Sequence, residues 1–367
     1  MMVLRLRFAP SLVAIALWLL AATAFYALVP HPAFFNPRYG VVRFYDHTAR
    51  NPFARRVLAG ELIRIGVAAI PGPIRAVIDE RLLPVTQPRG GRPEHGTVIF
   101  VAAGLTVLSL AVFLGLLALG IRTLGVSPWL AVGLSLLGVP LLHVFTNFQV
   151  FAYDHLVLAL FAAASLCLWR RGAGNGILDV LIAVAAVAKE TAVLLTIAAL
   201  AVDDGPITQR LGRFVRRVAI VALIQTGLVL MVSDRPGFPV EEHIRENWVL
   251  VTQWRNWFAF QPFESTVLFP GGLPFGRPVG FNLFVWVPLF ALAMRGARRE
   301  WRLARALVVM AIPLVPLQLM FGMFNEVRDL YELLPALLWL AVAGAMPAEG
   351  REHARQRRPA RAAAADG

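Results

Sequence analysis

ILDVLIAVAAVAKETAVLLTIAALAV, residues 177 to 202, is apolar enough to cross a bilayer, yet it carries Lys189 and Glu190 at its centre. Lys189 is the only lysine in the chain; the other 34 of the 35 basic residues are arginines. A charge at mid-membrane depth costs about 2.5–3.5 kcal/mol on insertion scales, so it is rarely placed there without a partner or a task. Arg170 and Arg171 precede the stretch, and Arg210, Arg213, Arg216 and Arg217 follow it. Short arginine-rich loops belong on the cytoplasmic side, so both ends should face the same way and the stretch must cross an even number of times. Each half, 177–188 and 191–202, spans only about 18 Å as helix, against a hydrocarbon core of about 30 Å. The stretch therefore reads as a short hairpin whose tip, Lys189-Glu190-Thr191, stops inside the protein below the outer surface. Irregular backbone at that depth is tolerated only where protein or a water-filled cavity surrounds it.

The rest of the 367-residue chain agrees with a membrane setting. It is 58% hydrophobic and 16% charged, and apolar runs long enough for transmembrane helices recur along it. The expected fold is all-α: a polytopic helical membrane protein with about eight full spans plus the short mid-chain hairpin. The formal net charge of +13 comes from arginines in loops between apolar runs and in the tail. That placement suits orientation and anionic headgroups, and it argues against nucleic acid as a partner. Cys167 is the only cysteine and sits in an apolar run, so neither an internal disulfide nor a cysteine metal cluster is available.

Taken in order, Arg5 and Arg7 precede a first helix, Ser11–Val29, which is too long for a signal-peptide core and reads as retained, with a cytoplasmic N-terminus. Residues 30–95 form a long outer loop. Within it, Arg56–Ala69 places Leu58, Leu62, Ile65 and Ala69 on one face, Pro71-Gly72-Pro73 breaks the chain, and Ile74–Leu83 restarts it. Both pieces are expected to lie at the membrane surface. Further spans are expected at 96–119, 128–146, from 155 to Trp169, 218–233, 281–294, 307–321 and 330–346. A second outer loop, 234–280, carries Trp248, Trp254, Trp257, Phe258 and Phe260 in a helical interfacial belt over 240–260, followed by a Gly- and Pro-rich stretch, 262–278, expected to be irregular. Residues 1–346 thus form one transmembrane domain, and 347–367 a disordered, basic cytoplasmic tail. Both termini face the cytoplasm of a bacterial-type inner membrane.

With this topology the out-of-place ionisable residues fall on the outer side: Asp46 with Arg55 and Arg56, Asp154 with His155, Lys189 with Glu190, and Glu326 with Arg328 and Glu332. Loop charges are ordinarily solvated, but Lys189 and Glu190 lie too deep for that. As sequence neighbours they point to different sides and can pair with other segments. Such groups suit acid–base work beside a bound anion. A carboxylate takes a proton from an attacking hydroxyl, arginine holds a phosphate through two parallel hydrogen bonds, and a lysine neutralises charge on a leaving phosphate. The chain has no P-loop, HExxH, GxSxG or nucleotide-binding glycine fingerprint. Asp154-His155 is too short a pattern to define a metal site.

This layout resembles the GT-C class of membrane glycosyltransferases, which use lipid-phosphate-linked sugars. The likeness rests on a first helix followed by a long outer loop with an acid near its start (Tyr45-Asp46-His47) and two surface helices, and on Ala188-Lys189-Glu190-Thr191 in a mid-chain hairpin. It covers about residues 1–346 as architecture. The class often has paired acids in the first loop, whereas Asp46 stands alone. The resemblance implies transfer of a sugar from a polyprenyl-phosphate donor to an acceptor on the outer face. Asp46 would then be the general base or acceptor-orienting group. Arg55, Arg56, Lys189 and Arg328 would bind donor phosphate, with Asp154, His155, Glu190 and Glu326 lining the site. Membrane lipids and the donor are the implied partners. The resemblance assigns no definite cofactor, and a divalent cation stays open. A polysaccharide polymerase or ligase, using the late outer loop, and a membrane transporter are the alternatives.

Overall fold

The computed structural model describes residues 11–28, 32–36, 38, 40–51, 53–86, 95–146, 151, 153–235, 244–265, 269–278, 280–321 and 328–347. Arg5, Arg7, Glu326 and the expected tail from residue 348 lie outside them. The first segment folds as α1 (Ser11–Leu28), and the first long loop after it holds α2 (Val41–Tyr45), α3 (Val57–Ala69) and α4 (Gly72–Thr86). Helices α3 and α4 meet at a 115° bend over Pro71. The row Ala59, Ile63 and Val67 is the buried side of α3, while Ile65 of the expected apolar face is 64% exposed. Both sides of α3 are thus apolar, as suits a helix between protein and lipid.

Helix α5 (His95–Thr123) is the longest element. The expected span over 128–146 is two helices, α6 (Pro128–Ser135) and α7 (Gly138–Thr146). Ser127 caps α6, its hydroxyl accepting from the Leu130 N–H, with Pro128 at the first helical position. Helix α8 (Asp154–Arg171) ends at Gly172, whose φ of +76° lies in the left-handed region that glycine adopts without a Cβ penalty. Asn175 caps α9 (Gly176–Ala188), and after a break come α10 (Val193–Val202) and α11 (Ile207–Met231).

The second long loop holds α12 (Ile244–Thr252), a 3-10 turn over Trp254–Phe258 and an antiparallel hairpin of β1 (Phe260–Ser265) and β2 (Phe269–Pro278). The Gly- and Pro-rich stretch is therefore not irregular: it pairs with itself, with register shifts after Pro262 and Phe263 absorbing the awkward residues. The chain closes with α13 (Leu283–Ala297), α14 (Trp301–Phe321) and α15 (Leu334–Ala345). Apart from that hairpin the described fold is helical.

Three described helices, α5, α11 and α14, are long and apolar enough to cross a membrane, and α3 with α4 would make a fourth if the bent pair were one span. The other apolar helices are shorter, 10–17 residues each. The longer ones present apolar side chains outward, such as Leu223, Leu230 and Met231 of α11 and Val308 and Ile312 of α14. Their buried sides form one continuous core running from α1 to α15.

The path of 177–202 can be read from α11. Asp179, near the start of α9, pairs with Arg216 and with Arg217, whose Nε lies 2.6 Å from Oδ1. Asp203, just past the end of α10, accepts both Nε and Nη2 of Arg213 at 2.8 Å. Arg213 and Arg217 are about one helical turn apart, so both ends of the stretch meet the same part of α11. Farther along α11, Gln225 donates to the Ala186 carbonyl at 2.6 Å, whereas Arg210, nearer its start, reaches the Leu200 carbonyl at 3.2 Å. Helix α9 runs parallel to α11, and α10 returns. The stretch is a hairpin.

The feet of this hairpin belong to one end of the molecule. Arg217 reaches the Ala173 carbonyl after α8, Arg302 at the start of α14 meets Asp204, and Trp169 at the end of α8 donates to Glu300 at 3.1 Å. Arg299 after α13 donates to the last carbonyls of α15, those of Ala343 and Met346, at 2.7 Å. Helices α13 and α15 come so close that a Cβ on Gly296 would collide with the Leu340 carbonyl, and one on Gly344 with the Leu292 carbonyl. Small residues at such a crossing let two backbones touch.

Candidate functional site: the hairpin tip

At the opposite end, α9 stops because Lys189 takes an extended conformation (φ −161°, ψ 144°), and Glu190–Ala192 then form one 3-10 turn. The break sends the two charges apart. The Lys189 ammonium lies 2.7 Å from Glu332 Oε1, with the side chains 3% and 0% exposed. The Thr191 hydroxyl donates to the same oxygen at 2.6 Å, and the ammonium sits 4.8 Å over the Tyr331 ring. Glu332 and Tyr331 come from the 3-10 turn Arg328–Leu333 that leads into α15. The last helix and the hairpin tip are thereby tied by a buried ion pair.

Glu190 faces the first long loop, between α1 and α5. Arg56, just ahead of α3, donates from Nη2 to Oε1 at 2.8 Å and from Nε to Oε2 at 3.4 Å. Its Nη1 donates to the Tyr153 hydroxyl, and its guanidinium stacks 4.5 Å from the Tyr153 ring and 5.2 Å from that of Phe53. Phe53, Phe151 and Tyr153 continue the stack at 5.3 and 5.4 Å. A fork that is both bidentate and stacked is a task for arginine, which lysine does not reproduce.

Of the residues expected at the site, Arg56, Lys189 and Glu190 thus come together through direct contacts. Asp154 and His155 are buried next to Tyr153: Asp154 accepts the Phe151 N–H at 2.9 Å, and the His155 ring stands edge-on to Phe25 at 5.4 Å. Arg55 is half-buried beside Arg56, and its Nε meets no hydrogen-bond partner. Asp46 is exposed at the end of α2, with no ion pair among the described residues. Next to it His47 adopts a φ of +54° and contacts Arg64 and Glu61, the latter at 3.0 Å. A small surface cleft lies here, lined among others by Arg43, His47, Gly60 and Arg235. Glu326 and the side chain of Arg328 lie outside the described residues.

Tyr153, Thr191, Tyr331 and Glu332 are the contributors that sequence reasoning left unassigned. Glu332 had a signal: a lone buried lysine needs a counter-charge, and Glu332 is an acid at the head of the last apolar run. Among the described residues no three His, Cys, Asp or Glu side chains gather as a metal site requires. They do not make a cage for the divalent cation that the resemblance leaves open. Comparison with protein-family models, curated proteins and solved structures finds no match for this chain.

Proposed function

We propose that this chain is an inner-membrane glycosyltransferase of the GT-C kind, with about eight spans and a re-entrant hairpin. Its arginine-rich end and both termini face the cytoplasm, and the hairpin tip lies near the outer leaflet. The sugar comes from a polyprenyl-phosphate-linked donor and goes to an acceptor at the outer face. The observation that carries the reading is the tip itself. Two cations and two carboxylates from the first loop, the hairpin and the last helix meet at the end of the molecule opposite the arginine-rich feet.

The contacts divide the work among these residues. Lys189 and Arg56 each already face a carboxylate, so they hold the tip and set its potential. Arg55, with a buried guanidinium nitrogen left unsatisfied, is the group free to receive a donor phosphate. In the transfer, an acceptor oxygen attacks the anomeric carbon and its proton passes to Asp46. The bond from that carbon to the phosphate oxygen breaks, and its electron pair leaves with the lipid phosphate, beside the arginines. Asp46 is open to solvent and unpaired, as a base that must meet an incoming acceptor should be.

The test is sugar transfer by the purified chain in proteoliposomes loaded with polyprenyl-phosphate-linked sugars. Asp46→Asn is expected to lower the rate by about 10²–10⁴-fold, the usual contribution of a positioned base. Wild-type rates in Asp46→Asn would remove Asp46 from the chemistry. No transfer from any such donor by well-folded protein would remove the glycosyltransferase reading.

A further inference from the structure

Two groups stand out among the arginines at the basic end. Arg213, Arg216, Arg217 and Arg302 are committed to Asp203, Asp179 and Asp204, and Arg210 and Arg299 to backbone carbonyls. Arg295, Arg298 and Arg305 are exposed and make no ion pair or hydrogen bond among the described residues. They bracket a single short connection, the three residues between α13 and α14. The one acid there, Glu300, accepts from the Trp169 indole.

Position on the helices gives this cluster a direction. The buried row of α13 runs through Trp286, Leu289, Ala293 and Gly296, and Arg295 lies off it, at the end of the outward row with Val287 and Met294. On α14 the buried row runs through Leu303, Ala306, Met310 and Leu314, and Arg305 lies on the outward row with Trp301, Val308 and Ile312. Two apolar, outward rows thus end in arginines at the same turn, with Trp301 half-exposed between them. Aromatic and basic residues at the end of an apolar surface mark the headgroup layer.

We infer that the α13–α14 turn binds the phosphodiester of an anionic glycerophospholipid, held by Arg295, Arg298 and Arg305, with the acyl chains along the outward rows of the two helices. Charge complementarity selects the lipid: three guanidinium groups without a carboxylate partner among the described residues attract an anionic headgroup and gain little from a zwitterionic one. The site is at the opposite end from the hairpin tip and does not depend on the proposed transfer reaction.

The experiment compares unfolding midpoints of the detergent-solubilised, delipidated full chain after adding phosphatidylglycerol or phosphatidylcholine, reading the difference between the two lipids within each variant. For the wild type, phosphatidylglycerol is expected to raise the midpoint by about 2–4 °C over phosphatidylcholine. The Arg295→Gln/Arg298→Gln/Arg305→Gln variant should lose that difference. Arg171→Gln, which removes an exposed arginine at the same end, should keep it. Phosphorus assay of the purified chains should show less retained phosphatidylglycerol in the triple variant alone. Equal differences in wild type and triple variant, the same loss in Arg171→Gln, or an equal gain from inorganic phosphate would each overturn the assignment.

Discussion

At the scale of single residues, the consequential contact is Lys189 with Glu332. Both side chains are almost wholly removed from solvent, so each charge depends on the other. Replacing one partner leaves an uncompensated buried ion, which costs about 3–5 kcal/mol, whereas replacing both with apolar residues of similar size is often near neutral. Glu332→Leu and Lys189→Met should therefore each lower the stability of the detergent-solubilised chain by that amount, and the double variant by much less than their sum. A double variant showing the full sum would mean that the two side chains do not act as a pair. This pair also marks how far the sequence could be read. Lys189 stood out because it is the only lysine and lies in an apolar run. Glu332 stood with Glu326 and Arg328 among the out-of-place charges, but it could not be matched to Lys189, because the contact depends on where the chain returns some 140 residues later. Glu190 was legible as a site residue, but its partner could not be chosen between Arg55 and Arg56. Sequence neighbours share a loop, and only the backbone ahead of α3 decides which guanidinium turns inward.

At the scale of elements, the hairpin was legible because charge bias sets the side on which a loop lies, independent of packing detail. The breaks that packing imposes were not. Gly138 and Pro140 carry a signal for the interruption between α6 and α7, but the apolar run around them masked it, and Gly and Pro concealed the pairing of β1 with β2. The α13–α15 crossing was equally hidden, because its glycines are far apart in sequence and only their meeting gives them a role. Gly296→Ala should force the two backbones apart and destabilise the chain by about 1–3 kcal/mol, as overpacking does. Gly104→Ala, where an added Cβ meets open space, is the matched control and should change little. The foot of the hairpin makes a separate prediction. Burial works against the charge on Asp203, but hydrogen bonds from Arg213 and the Gly205 N–H, with the charges of Arg213 and Arg210, hold its carboxyl below the usual range. A depressed folded pKa stabilises above the unfolded value of about 3.9, and that stability is lost as pH falls through the lower folded value. Asp203→Asn should therefore lose stability at neutral pH and show a shallower decline on acidification, read from unfolding midpoints between pH 7 and pH 3. An acid limb as steep as that of the wild type would count against the clip.

At the scale of the whole molecule, the two ends carry different chemistry. Committed arginines and aspartates join the hairpin feet to the turns after α8 and before α14, while the tip is joined to the first loop and to the entry of α15. A span instead of a hairpin at 177–202 would put Asp179 far from Arg216 and Arg217 and scatter the feet to both ends, so the same contacts that define the hairpin also fix the sense of α11, α13, α14 and α15 relative to α8. The arginine bias gives an expected orientation across a bilayer, and thiol labelling measures it. In a Cys167→Ala background, single cysteines at Asp46, Thr191, Pro206 and Arg298 should divide by side in intact cells. Position 46 should react with impermeant reagents from outside, and 206 and 298 only after the membrane is opened. Position 191 should react weakly from outside, because its hydroxyl sits on buried Glu332. Labelling of 206 from outside would turn the hairpin into a single crossing and invert every later helix. Arg56, Lys189 and Glu332 would then no longer share a face of the membrane, and the case for lipid-phosphate chemistry at the tip would fail with them.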